Sequence, residues 1–143
     1  MTVYKKIMLA ASLFGAVAVL LGAFGAHGLR NLIDARQLVV YQTGISYQFY
    51  HTIALLGLAA WAKNDINPSV WIGRAAVCFG IGILFFSGSL YLLALRHVWH
   101  LDNWMFIIGP ITPVGGLFFV VGWVLLGLSI YLKKEYPSVD TID

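Results

Sequence analysis

The chain has 143 residues, of which 60% are apolar and 10% charged, and its net charge is +3. Globular domains average about 25% charged residues, so nine Lys and Arg with six Asp and Glu cannot coat a water-soluble domain of this length. That excludes a soluble enzyme, a disordered tail and a nucleic-acid module. The cations stand singly or in pairs at the edges of apolar runs, never as a basic face. The lone cysteine, Cys78, leaves no intramolecular disulfide, CxxC pair or Cys-rich metal site.

In chain order, four stretches have the length and polarity of membrane spans: residues 7–26, 45–62, 72–95 and 113–132. A helix needs about 20 residues to cross a hydrocarbon core of roughly 30 Å. Only helices or closed barrels satisfy their backbone there, and these runs lack the alternation of barrel strands. The expected fold is an all-α integral membrane protein, a single four-transmembrane-helix bundle. Lys5 and Lys6 precede the first run as in a signal peptide, but the run is long for that purpose. Residues 29–40 place Leu29, Leu32, Ile33 and Val40 among Arg30, Asp34 and Gln37. This spacing suits either an amphipathic helix in the outer interface or an extension of a neighbouring span. Residues 63–69 form a polar turn, and Thr112 with Pro113 suits an N-cap and first helical position, starting the fourth helix there. Lys133 and Lys134 close it, and residues 133–143 are a short polar tail.

Interfacial aromatics mark two levels, with Tyr4, Trp61, Trp71 and Tyr131 at one and Tyr47, Tyr50, Trp99 and Trp104 at the other. Trp123 falls in mid-span. Four spans put both termini on one side, with Lys5, Lys6, Lys63, Arg74, Lys133 and Lys134, against Arg30, Arg36 and Arg96 on the other. That bias predicts cytoplasmic termini. Small residues fall in helical register at Ala11, Gly15, Ala18, Gly22 and Gly25, at Gly73, Gly80 and Ser87, and at Gly115, Gly122 and Ser129. Helices in lipid associate by close backbone approach at such seams.

No Asp, Glu, Lys or Arg lies in the middle of a span, which weighs against an ion-coupled transporter. The titratable side chain most deeply placed is His51, about 9 Å along the second span, with Gln48 and Tyr47 one turn before it. His27, His97 and His100 also fall toward the outer side. Two helix-borne histidines can clamp a haem and His-x-x-His can hold a metal. The simpler reading has His27 and His51 bonded within the bundle and His97 and His100 in an interfacial loop. Ser87 and Ser89 have no triad partners at a recognisable spacing, and no phosphate loop or dinucleotide fingerprint is present.

Four motifs run in order: residues 22–29 (GAFGAHGL), 41–51 (YQTGISYQFYH), 86–91 (FSGSLY) and 111–116 (ITPVGG), the last followed by Gly122-Trp123. Over residues 7–132 the chain resembles the YgdD/YwdK family of small bacterial inner-membrane proteins, a domain family of unknown function. The resemblance implies four spans with cytoplasmic termini in the inner membrane, and brings no activity, substrate, cofactor or catalytic residue. By polarity and depth, the motif residues His27, Gln48, His51, Ser87, Ser89, Tyr91 and Thr112 are the candidate site. The leading expectation is a non-enzymatic protein binding a lipid, quinone or small amphiphile in an outer-half polar pocket. The alternatives are a subunit docking by its glycine seams onto a second copy or a larger membrane complex, and a haem or metal redox carrier.

Overall fold

The structure, a computed structural model, describes residues 1–65 and 69–132. Among these the fold is all-helical, with no strand. The helices are α1 (Val3–His27), α2 (Ala35–Asn64), α3 (Val70–Ala94) and α4 (Met105–Tyr131). A single π-helical stretch, Ile83–Ser87, interrupts α3, and a 3₁₀ turn, Asp102–Trp104, leads into α4. Among the described residues three helices are long and apolar enough to cross a membrane: Val3–His27, Val70–Ala94 and, with its leading turn, Asp102–Tyr131. The tail at 133–143 and part of the polar turn, residues 66–68, lie outside the described residues.

The chain leaves α1 through Gly28 and Leu29, whose amides both reach the Phe24 carbonyl, at 2.7 and 3.1 Å. Leu29 is fully buried there. Asp34 then caps α2: its Oδ1 accepts the Gln37 amide at 2.8 Å, and Gln37 Oε1 accepts the Asp34 amide at 3.1 Å. This reciprocal box satisfies two donors at the helix start. Residues 29–40 are therefore a largely exposed turn anchored by the buried Leu29, followed by the first turns of α2, not one amphipathic helix, and α2 begins ten residues before the expected 45.

α4 likewise starts earlier than expected. Pro110 and Pro113 lie inside it, and Thr112 does not cap it. Each proline removes one backbone donor, which a membrane helix tolerates where neighbours re-satisfy the backbone. The Thr112 hydroxyl instead faces α3.

α1 packs along α2, and α3 along α4, with α2 joining the pairs mainly through the later half of α3. The buried residues of α2 are Tyr41, Gly44, Gln48, His51, Thr52, Leu55, Leu58, Ala59 and Ala62, a three-and-four spacing that runs one seam down its whole length. Most of the core lies beside the later half of this seam, where Ile7 and Ala11 meet Leu55, Leu58, Ala59, Ile72, Ala75, Phe79, Ile83 and Phe119. A smaller cluster of Leu29, Tyr41, Ala94 and Leu95 closes the other end.

The predicted small-residue seams divide by how close their neighbours come. A Cβ on Gly115 would stand 2.2 Å from the Phe86 amide nitrogen, so α4 crosses the π-helical stretch backbone against backbone. Gly25 and Gly122 admit the Tyr41 and Phe79 rings, each within 2.6 Å of such a Cβ. Gly15, Gly22, Gly73 and Gly80 meet nothing nearer than 3.5 Å. Their neighbours leave room for a methyl group. Ala11, Ala18 and Ser129 are buried.

Candidate functional site: a polar seam through the bundle

Gln48 is only 2% exposed and ties three helices together. Its Nε2 donates to the Phe14 carbonyl of α1 at 2.8 Å, and its Oε1 accepts the Tyr91 hydroxyl of α3 at 2.8 Å. Tyr41 leans on Tyr91, ring centroids 5.1 Å apart, and its hydroxyl donates to the Leu21 carbonyl at 2.9 Å. Every named polar tip in this group has a partner, as burial requires.

His51 lies one turn further along the same seam. Its Nδ1 is 2.8 Å from the Tyr47 carbonyl, which can only accept, so that nitrogen carries the proton. Nε2 is then the acceptor for the Trp123 indole N–H, at a long 3.4 Å. The ring stacks on Phe119, centroids 3.5 Å apart and 7° from parallel. A neutral imidazole with both nitrogens engaged offers no lone pair to a metal unless the Trp123 bond is given up.

The serines fall into two environments. Ser89 Oγ donates to the Phe86 carbonyl at 2.9 Å and lies 2.7 Å from Thr112 Oγ1. With its one proton so used, the Thr112 hydroxyl is the donor between them. Ser87, within the π-helical stretch, is fully buried and its hydroxyl has no hydrogen-bond partner. Thr52 Oγ1 is in the same position.

The seven candidates thus form linked pairs and single residues instead of one pocket: Gln48 with Tyr91, Ser89 with Thr112, His51 with Trp123, and Ser87 by itself. His27 ends α1 exposed, remote from them. His97 joins an exposed cluster, its Nε2 accepting from Arg96 Nε at 3.1 Å and its Nδ1 3.1 Å from Asp102 Oδ2. His100 turns that loop in the left-handed region, at φ 54°. Among the described residues, no three of His, Cys, Asp and Glu stand where they could hold a metal ion.

Beside the Tyr41–Tyr91 pair, a cleft of about 610 Å³ opens between α1 and α3. Leu21 and Phe24 form one wall and Leu84, Leu92 and Leu95 the other, while Tyr41, Ser89 and Tyr91 supply its hydroxyls. Sequence reasoning missed three members of this architecture. Tyr41 lies in a motif with nothing to single it out, Phe119 is one apolar residue among many, and Trp123 stands in mid-span away from the interfacial aromatics. A mid-span indole needs an acceptor for its N–H, and that need pointed to His51.

Fold and seam together define an all-helical membrane protein whose buried polar groups fasten helix to helix. A family described as a protein of unknown function (DUF423) matches residues 21–116, two thirds of the chain. The UPF0382 inner membrane protein YgdD of Escherichia coli strain K12 is 42% identical over 135 residues, covering 94% of this chain and 96% of its own. UPF0382 membrane proteins of Staphylococcus saprophyticus and Haemophilus influenzae are each 39% identical, covering 89% and 92% of this chain and 98% of their own. The chain belongs to this family of small membrane proteins of unknown function. No solved structure matches it.

Proposed function

We propose that the protein is a four-span inner-membrane protein with both termini in the cytoplasm, and that the cleft beside Tyr91 binds the apolar body of a lipid or quinone. The fourth crossing is α2. Its 30 residues reach about 45 Å at 1.5 Å per residue, and its polar side chains Tyr41, Gln48, His51 and Thr52 lie on the buried seam. They lower its mean hydropathy without facing lipid. The inner-membrane assignment rests on the relatives, the Escherichia coli protein among them, and the orientation on the bias of Lys and Arg.

The observation that carries the binding reading is the cleft itself: about 610 Å³, mostly apolar, with the polar ends of Tyr41, Ser89, Tyr91 and Trp99 among its lining residues. That volume and lining are typical of small-molecule sites. Tyr91 and Ser89 are held by Gln48 and Thr112, so the hydroxyls facing a ligand are positioned before it arrives. Gly88 lines the cleft and a Cβ there meets nothing within 4 Å. Gly88→Leu therefore starts its side chain in open space and occupies the cleft. Lipid extraction and mass spectrometry should find an amphiphile that co-purifies with the native protein and is lost from Gly88→Leu. Equal content in both would reject the reading.

A further inference from the structure

A second cleft, of about 760 Å³, opens at the opposite ends of the same two helices, where α1 and α3 begin. Ile7 and Phe14 of α1 and Val77 of α3 line it, with Leu55 and Leu125 contributed by α2 and α4. Gly73 and Gly80 line it too, and a Cβ on either meets nothing nearer than 3.8 Å. Two cations complete the lining. Lys6 is the fourth residue of α1 and Arg74 the fifth of α3, so both charges stand near the helix ends, where a membrane headgroup region lies. Arg74 is carried over the Trp71 ring, 4.6 Å from its centroid. Among the described residues neither cation pairs with a carboxylate.

An apolar slot between two candidate membrane spans, with two unpaired positive charges at its headgroup end, matches one kind of occupant. We propose that this cleft binds an anionic phospholipid, one acyl chain lying between α1 and α3 and the phosphate held by Lys6 and Arg74. Basic pockets between transmembrane helices suit phosphate headgroups. A zwitterionic lipid would fill the slot equally well but bring no net charge for the two cations. The site is separate from the cleft beside Tyr91 and does not depend on it.

Native mass spectrometry of the full-length protein in non-ionic detergent tests this, with phosphatidylglycerol or phosphatidylcholine of identical chains added. Phosphatidylglycerol should be retained in clear excess. Lys6→Gln with Arg74→Gln should weaken its retention about 25-fold, at about 1 kcal/mol for each basic side chain. Gly73→Leu keeps both cations and fills the slot, so it too should lose the preference for phosphatidylglycerol while melting at the native temperature; Gly88→Leu, in the other cleft, should keep that preference. Equal retention of the two lipids, a charge-neutralised variant that binds as the native protein does, or a Gly73→Leu protein that keeps its preference for phosphatidylglycerol would each overturn the proposal. So would a native dimer that Gly73→Leu splits, since a second copy would then be the occupant.

Discussion

Gln48 is where a single residue has the widest reach, since its amide spans a backbone carbonyl on α1 and a phenol on α3. Gln48→Leu leaves the Tyr91 hydroxyl without its acceptor and removes the second bond to the Phe14 carbonyl, at a cost of about 1–3 kcal/mol. Tyr91→Phe removes only one of the two bonds and should cost less. Thermal denaturation in detergent of both variants and of the double variant gives their coupling. Interhelical hydrogen bonds in membranes average about 0.6 kcal/mol, with a maximum near 1.7, and a coupling within that range is expected. Additive effects would mean that the bond contributes nothing beyond packing. His51 behaves differently. His51→Gln removes the ring stacked on Phe119 and the acceptor for Trp123, so stability should fall by about 1–3 kcal/mol. Yet His51 does not line the cleft beside Tyr91. Its replacement should leave the co-purifying amphiphile in place, as lipid extraction of the folded variant would reveal.

At the scale of the element, the π-helical stretch of α3 and the Gly115 crossing belong together. The stretch offers α4 a backbone surface at Phe85 and Phe86, and only a residue without a Cβ can approach it. Gly115→Ala should destabilise the protein by about 1–3 kcal/mol, the usual cost of overpacking. Gly22→Ala is the control: its Cβ meets Ile45 at an ordinary 3.8 Å, and a helical glycine that can accept a methyl gains up to about 1 kcal/mol. Melting temperatures moving in opposite directions would bear out the distinction, and equal shifts would contradict it. The start of α2 depends on a smaller device. Asp34→Ala abolishes the capping box and should cost about 1 kcal/mol, seen first as faster amide exchange in the opening turn of α2.

At the scale of the whole molecule, two helix pairs are joined along α2, with one cleft at each end of the α1–α3 boundary. The proposed fourfold crossing makes a direct prediction. Reporter fusions after Asp143 should have cytoplasmic activity, and fusions inserted in the 28–34 turn periplasmic activity. The reverse pattern would overturn the orientation, and one side for both sites would remove a span. The clefts are independent in this arrangement, so filling either should spare the other.

Composition and run length alone determined that the chain is helical and lives in lipid, because the polar backbone of an apolar segment has few other ways to satisfy itself there. The four apolar runs coincide with the four helices, although α2 and α4 start ten and eight residues earlier than their runs. The Asp34–Gln37 box was readable but competed with an amphipathic pattern of similar strength. Thr112–Pro113 has the residue types of an N-cap and first helical position, yet the helix runs through both prolines. Depth and polarity could nominate Gln48, His51, Ser89 and Tyr91, but not their partners. The bonds from Gln48 to Phe14, 34 residues away, and from His51 to Trp123, 72 residues away, exist only once the helices are docked. The π-helical stretch was equally hidden, as was the crossing of Gly115 against its Phe85–Phe86 backbone. Whether a polar face points at lipid or at another helix is decided by packing, and for α2 the tertiary structure turned that face inward.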